Sequence, residues 1–288
     1  MINDQAARLR DLSKLKVQTQ KQLRPVRRIA VTSGKGGVGK SNISLNLGIC
    51  FQKLGQRALL VDADTNLANI DILLGINPKY TLADAILGDR FLTEILVEGP
   101  EGLKVLPAGS GIVELVGLDA VVQDRIERGM SDLESGQDLI ILDTGAGISE
   151  GVVEFAAGAD EVIVITTPEP TAITDAYAAI KVISARNPAV KFYLLVNFAK
   201  NQEEAEEVAR KIKLVVENYL AFHLENLGYI PVDAHIPRAV AQQIPFTLAS
   251  PRCPAASNLA MIARRLLKCP IPAAERGSLF RHLFARGD

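Results

Sequence analysis

Residues 34–41 read G-K-G-G-V-G-K-S and satisfy the pattern G-x-x-x-x-G-K-[ST]. They follow an apolar run at 29–32 directly and open a helical pattern at 41–54. A glycine-rich turn that carries a strand straight into a helix begins a strand–helix–strand unit, and such units commit a chain to a parallel sheet. Further apolar runs at 58–61, 103–106, 139–142, 162–166, 192–196 and 227–230 read as strands buried on both faces. Helical stretches at 81–87, 119–133, 150–157, 171–185, 202–220 and 255–268 fit between them. The expected fold is α/β: a doubly wound, mostly parallel sheet with helices on both faces, spanning residues 26–268.

Two end segments flank this domain. Residues 1–25 carry Leu9, Leu12 and Leu15 at spacing three, a thin apolar stripe on a helix that Asp4 is placed to cap and Pro25 to end. The basic side chains of residues 8–28 fit either a solvated face or a partner surface. Residues 269–288 hold a Pro-rich linker and then S-L-F-R-H-L-F-A-R, in which Leu279, Phe280, Leu283 and Phe284 share one helical face. That face either inserts into an anionic membrane surface or packs in a groove on the same chain. A short interfacial anchor is marginal alone, so a membrane role needs a second signal, such as a second copy.

Lys and Arg total 32 against 33 Asp and Glu, so the chain as a whole is not built to coat DNA. Cys50, Cys253 and Cys269 form no C-x-x-C, which argues against a disulfide framework, a zinc site or an iron–sulfur carrier. No apolar run reaches transmembrane length and residues 1–28 lack a signal-peptide core, so the expected compartment is the cytoplasm.

The loop and strand ends carry the chemistry. The glycines of the loop let backbone N–H groups turn toward phosphate oxygens, and the helix start adds partial positive charge. Gly34, Lys35, Gly36, Gly37, Val38, Gly39, Lys40, Ser41 and Asn42 are therefore candidate nucleotide contacts, with Lys40 on the outer phosphates and the Ser41 hydroxyl on Mg²⁺. Lys35 is an extra cation just after the first glycine. It either serves a facing subunit, as an arginine finger does, or is a solvated loop lysine. Asp62 and Asp64 stand at the end of the second run and Asp143 after the fourth. Ligands of open α/β sheets sit at strand carboxyl ends. The set suits a magnesium nucleotide: Asp143 and Asp62 near Mg²⁺, Asp64 orienting the attacking water. Taken singly, each aspartate also fits a helix or turn cap. Gly145 and Gly147 give the segment after Asp143 freedom to move when a γ-phosphate leaves.

With S-G-K-G-G-V-G-K-S, V-D-A-D and L-D-T-G-A-G in this order, the chain resembles the MinD/ParA family of deviant-Walker P-loop ATPases over about residues 28–268. The resemblance implies a MinD-like fold, slow regulatory ATP hydrolysis to ADP and phosphate, and a homodimer that forms with ATP and separates afterwards. It implies that Lys35 crosses the dimer interface, that Lys40 and Asp64 serve catalysis, and that Ser41, Asp62 and Asp143 hold Mg²⁺. Asn197, Pro231 and Asp233 occupy places similar to the family's base-binding residues. One departure is Gly145, where many relatives have proline.

The end segments narrow the resemblance. Residues 4–10, D-Q-A-A-R-L-R, are similar to the activator motif of the flagellar number regulators FlhG (FleN or YlxH), and the run D-T-N-L-A-N-I-D at 64–71 resembles the FlhG/MinD stretch after the catalytic aspartate. That likeness implies that Asp4, Gln5, Leu9 and Arg10 contact and stimulate the GTPase FlhF. It also implies that the tail carries a membrane-targeting helix on the inner face of the cell membrane. Flagellar C-ring proteins and a flagellar transcription activator are implied as partners through the family alone. The alternatives are a ParA-type DNA- or cargo-partitioning ATPase and a MinD-type positioner of cell division.

Overall fold

The computed structural model describes residues 26–64, 69–88, 90–107 and 120–269. Of the two end segments expected from the sequence, all of 1–25 and all of 269–288 except Cys269, with Asp4, Gln5, Leu9, Arg10, Leu279, Phe280, Leu283 and Phe284, lie outside the described residues.

In chain order the elements are β1 (Arg27–Ser33), α1 (Lys40–Lys53), β2 (Ala58–Ala63), α2 (Ile70–Leu74), α3 (Leu82–Leu87), β3 (Val97–Glu98), β4 (Lys104–Pro107), α4 (Ala120–Ser135), β5 (Leu139–Ala146) and α5 (Glu150–Ala157). There follow β6 (Glu161–Thr166), α6 (Pro170–Arg186), β7 (Lys191–Ala199), α7 (Gln202–Leu220), β8 (Glu225–Pro231), α8 (His235–Ala241), α9 (Phe246–Ala249) and α10 (Pro254–Lys268). The sheet order is β3-β4-β2-β5-β1-β6-β7-β8. Every neighbouring pair is parallel except β3–β4.

Each expected strand is present. The two-residue β3 and the short helices α2, α8 and α9 are too short to show a period and give no signal in the sequence. The strands facing the site run further than their apolar stretches. β2 reaches Ala63 and β5 reaches Ala146, so Asp62, Asp143 and Gly145 lie inside strands rather than after them. Backbone pairing with β1 and β2 stabilises these polar ends.

The strand pleat divides the core. Ala30, Leu59, Val61, Ile140, Leu142, Val162 and Val164 face the layer that includes α5, α6 and α7. Ile29, Val31, Leu60, Ile141, Ile163 and Ile165 face α1 and α10. Alternate residues of one strand thus serve opposite layers, which is why the runs are apolar throughout.

One buried ionic network locks the amino ends of the strands. The Arg27 guanidinium is paired with the Glu161 carboxylate, both nearly inaccessible, and also donates to the Leu266 carbonyl. Tyr193 Oη donates to Glu161 Oε1 at 2.8 Å, and burial beside that carboxylate pushes the Tyr193 phenol up. Removing one partner of such a pair leaves a charge buried without compensation. Glu161→Ala is therefore expected to cost about 3–5 kcal/mol, read as a lowered urea midpoint. A shift of less than about 1 kcal/mol would show that the network is replaceable. Among the described residues no helix is long and apolar enough to cross a membrane.

Candidate nucleotide and metal site

The loop between β1 and α1 lies at the carboxyl end of the central strand. Its first glycine is fixed by packing: a Cβ on Gly34 would stand 2.1 Å from the Asp175 carbonyl oxygen in α6. Gly36 and Gly37 form the exposed crest and Val38 turns into the core. Gly39, at φ 88°, occupies the left-handed region at the start of α1, and a Cβ there would stand 2.5 Å from Asn197 Nδ2. The loop is tied on two sides. Asn197 Nδ2 donates to the Val38 carbonyl at 2.7 Å, and Gly147 N donates to the Ser33 carbonyl at 2.8 Å. The cradle thus has its shape in the isolated chain.

Lys40 opens α1 and is buried, while Ser41 and Asn42 are partly exposed. Lys35 is different. Its ammonium is paired with the Glu169 carboxylate and donates to Thr171 Oγ1 at 3.2 Å, at the start of α6. Glu169 and Thr171 were absent from the sequence-derived set. They lie at the start of α6, just past the carboxyl end of β6, the side of the sheet where ligands bind, but their pairing with Lys35 has no local sequence signal.

The three aspartates gather beside the loop. Asp62 and Asp143 are register partners in β2 and β5, and Asp64 is buried just beyond β2. Asp62 accepts from Asp64 N and Ile70 N at 3.4 Å each. Part of the capping role expected of a lone aspartate is therefore present at the start of α2, through long bonds. Asp143 Oδ1 accepts from Ser44 Oγ at 2.8 Å, whereas its buried Oδ2 accepts no hydrogen bond from the described residues. Ser44 sits one helical turn after Ser41 and was also missed.

The electrostatics of this cluster are unfavourable without a cation. Burial, reinforced by the charge of Asp143, pushes the Asp62 carboxyl up to about 7. Burial pushes Asp143 up to about 6 against the pull of Lys40. An orphaned carboxylate oxygen, a facing carboxylate and the Ser41 hydroxyl form an all-oxygen donor set that fits Mg²⁺. The raised values carry a sign. Folded Asp62 holds its proton more tightly than the unfolded chain does. That contribution is complete below about pH 4 and fades as pH rises through about 7. The nucleotide-free protein is expected to lose stability over this interval, and Asp62→Asn, neutral throughout, to flatten the loss. Melting scans at pH 5 and pH 8 without magnesium check this; an unchanged pH slope in the variant would contradict it.

The expected base contacts differ in character. Asn197 is buried at the end of β7, its amide shared between the loop and Phe198 N. Pro231 ends β8. Asp233 accepts from His235 N, His235 Nδ1 and Ala255 N, which holds its carboxyl down at about 2 despite burial. Asp233, His235 and Cys253 bring their donor atoms within 4.8 Å of one another. Two helix starts aim backbone N–H groups at this cluster: His235 N of α8 donates to Asp233, and Ala255 N and Ala256 N of α10 donate to Asp233 and to Cys253 Sγ. It is built as a shared cap for α8 and α10, and that positive field opposes a cation.

The geometry has counterparts among known proteins. A family model described as "ParA: NUBPL iron-transfer P-loop NTPase" matches residues 25–267. The antiactivator FleN of Pseudomonas aeruginosa is 40% identical over 89% of this chain and 92% of its own length. The flagellum site-determining protein YlxH of Helicobacter pylori is 36% identical over 84% of this chain and 83% of its own. The MinC:MinD cell division protein complex of Aquifex aeolicus contains a chain that superposes with a TM-score of 0.67 at 28% identity, covering 88% of this chain and 100% of that one. A phosphate loop on the central strand, a buried aspartate on each of two strands beside it, and similarity over nearly the whole described domain lead to one assignment: the chain belongs to the ParA/MinD family of P-loop NTPases.

Proposed function

We propose that the protein is an ATPase whose ATP-bound form is a homodimer, and that this switch regulates flagellar number and placement. The observation that carries the switch is the direction of Lys35. Its ammonium is drawn to Glu169 and Thr171 on the outer face and remains 39% exposed, where a second copy can meet it. An exposed ion pair of this kind contributes about 0–1 kcal/mol, so releasing Lys35 to a partner's phosphates costs little.

The remaining groups have distinct tasks. The backbone of residues 34–39 and Lys40 hold the phosphates; Ser41, Asp62 and Asp143 hold Mg²⁺, which offsets charge on the phosphate oxygens when bound. Asp64 orients the attacking water and takes up its proton. No covalent nucleophile is needed, because positioning and charge stabilisation supply most of the acceleration in phosphoryl transfer. The Asp143 strand and the loop are joined by the Gly147–Ser33 hydrogen bond, a direct path by which loss of the γ-phosphate reaches the segment around Gly145 and Gly147.

Likeness to FleN and YlxH supports the flagellar role over chromosome partitioning or division-site selection. FlhF stimulation by Asp4, Gln5, Leu9 and Arg10, contact with C-ring proteins or a transcription activator, and membrane insertion through Leu279, Phe280, Leu283 and Phe284 extend the same proposal. Dimerisation presents two tails together and raises apparent membrane affinity by about 10²–10⁴-fold. Light scattering with ATP against ADP, followed by sedimentation with anionic vesicles, tests this. The ATP form is expected to double in mass and to sediment, and a chain lacking residues 276–288 to double without sedimenting. A single-copy mass at saturating ATP with hydrolysis blocked would defeat the proposal. For the flagellar arm, peptide 1–24 is expected to speed phosphate release by FlhF; no stimulation would remove that partner.

A further inference from the structure

The structure assigns Phe198 a role as the stacking platform for the nucleotide base, an inference that rests on reading the 34–41 loop as a nucleotide site. Phe198 is the residue at which the β7–β8 register slips: Asn197 pairs with Ile230 and Ala199 with Pro231, so Phe198 is the extra residue of a bulge. Bulges near sites re-aim a side chain. Its φ is 57°, in the left-handed region that a bulky side chain rarely occupies. The other non-glycine residues described with positive φ are Glu101, Ala221 and Gln243. Glu101 lies in a 3₁₀ turn, Ala221 caps α7, and Gln243 lies in the turn after α8. Phe198 is the aromatic among them and stands at the carboxyl end of a strand. Backbone held in a disfavoured conformation by its surroundings is a pointer to function.

The surroundings say what the conformation is for. The Phe198 N–H is held by Asn197 Oδ1 at 2.9 Å, and the same amide pins the Val38 carbonyl. One side chain thus sets both the phosphate loop and the aromatic residue beside it. The ring packs into neither core layer and is 39% exposed. Its tip lies 3.6 Å from where a Cβ on Gly39 would stand, at the loop's entry into α1. A π-face presented next to a phosphate cradle matches an aromatic base carried on that phosphate. Stacking accepts any base face, so Phe198 contributes affinity for a nucleotide over a bare polyphosphate, not a choice between adenine and guanine.

Titration calorimetry with Mg-ADP and with magnesium tripolyphosphate separates the base from the phosphates. Asn tolerates left-handed backbone, so Phe198→Asn removes the ring without adding strain. This variant is expected to bind ADP about 5- to 100-fold more weakly, to bind tripolyphosphate within about twofold of the intact chain, and to melt no lower without ligand. Phe198→Tyr, which keeps the ring, is expected to retain ADP affinity. Unchanged ADP binding in Phe198→Asn would overturn the assignment, as would an equal loss for ADP and tripolyphosphate, which would mean that the ring only supports the loop. If the intact chain bound neither ligand, the phosphate-loop reading itself would fall and this inference with it.

Discussion

A Lys35→Ala variant is expected to take up ATP with an affinity close to that of the intact chain, remain a single copy at saturating ATP, and hydrolyse it at least about 10³-fold more slowly. The expectation follows from where the ammonium sits. Lys40 is buried at the start of α1, and in the proposed assignment it serves its own phosphates. The Lys35 ammonium is held by Glu169 and Thr171, so it is the backbone of Lys35, not its side chain, that belongs to the cradle of its own chain. Its removal should spare nucleotide binding and abolish whatever depends on a second subunit. Cations supplied in trans to a transferring phosphoryl group are worth about 10³–10⁵ in rate. Light scattering and single-turnover phosphate release read the two effects. An ATP-dependent dimer of normal strength in this variant would reject the trans role, and Lys35 would then be a solvated loop residue.

The placement of the loop and of the strand-end aspartates is legible in the sequence for a physical reason. A phosphate loop has a sequence signature because its backbone conformation admits few residues, and buried parallel strands have one because both faces are apolar. The loop fixes where the central strand ends, and strand-end logic then locates Asp62 and Asp143, which the structure pairs across β2 and β5. What escaped depends on contacts without periodicity. The Glu169–Lys35 pair joins residues 134 positions apart. The reason for Gly34 lies in the backbone of Asp175, which no local pattern reports. Asp233 carries a second task that its resemblance to a base contact did not announce: its carboxylate accepts from the starts of two helices. Phe198 was hidden by its own composition, because an aromatic at the end of an apolar run reads as one more core residue until the bulge shows its direction.

Asp64→Ala is expected to keep ATP binding and ATP-dependent dimerisation and to lose turnover by about 10²–10⁴-fold, the usual contribution of a positioned general base. Asp64 lies beside the Asp62–Asp143 pair without belonging to it, and its Oδ1 is 3.5 Å from where a Cβ on Gly145 would stand. The carboxylate therefore lies against β5 within van der Waals reach of Gly145. Mixed before ATP is added, the two variants also offer a test that neither provides alone. In a mixed dimer of Lys35→Ala with Asp64→Ala, the site on the Lys35→Ala copy retains Asp64 and receives Lys35 from its partner, while the other site lacks both groups. Mixing the two inactive proteins is therefore expected to restore hydrolysis at up to one site per mixed dimer, measured as phosphate release against the mixing ratio. If Lys35 acted within its own chain, every site in the mixture would still lack one of the two groups and no ratio would recover activity. Full hydrolysis by Asp64→Ala alone would instead transfer the task of orienting water to another residue.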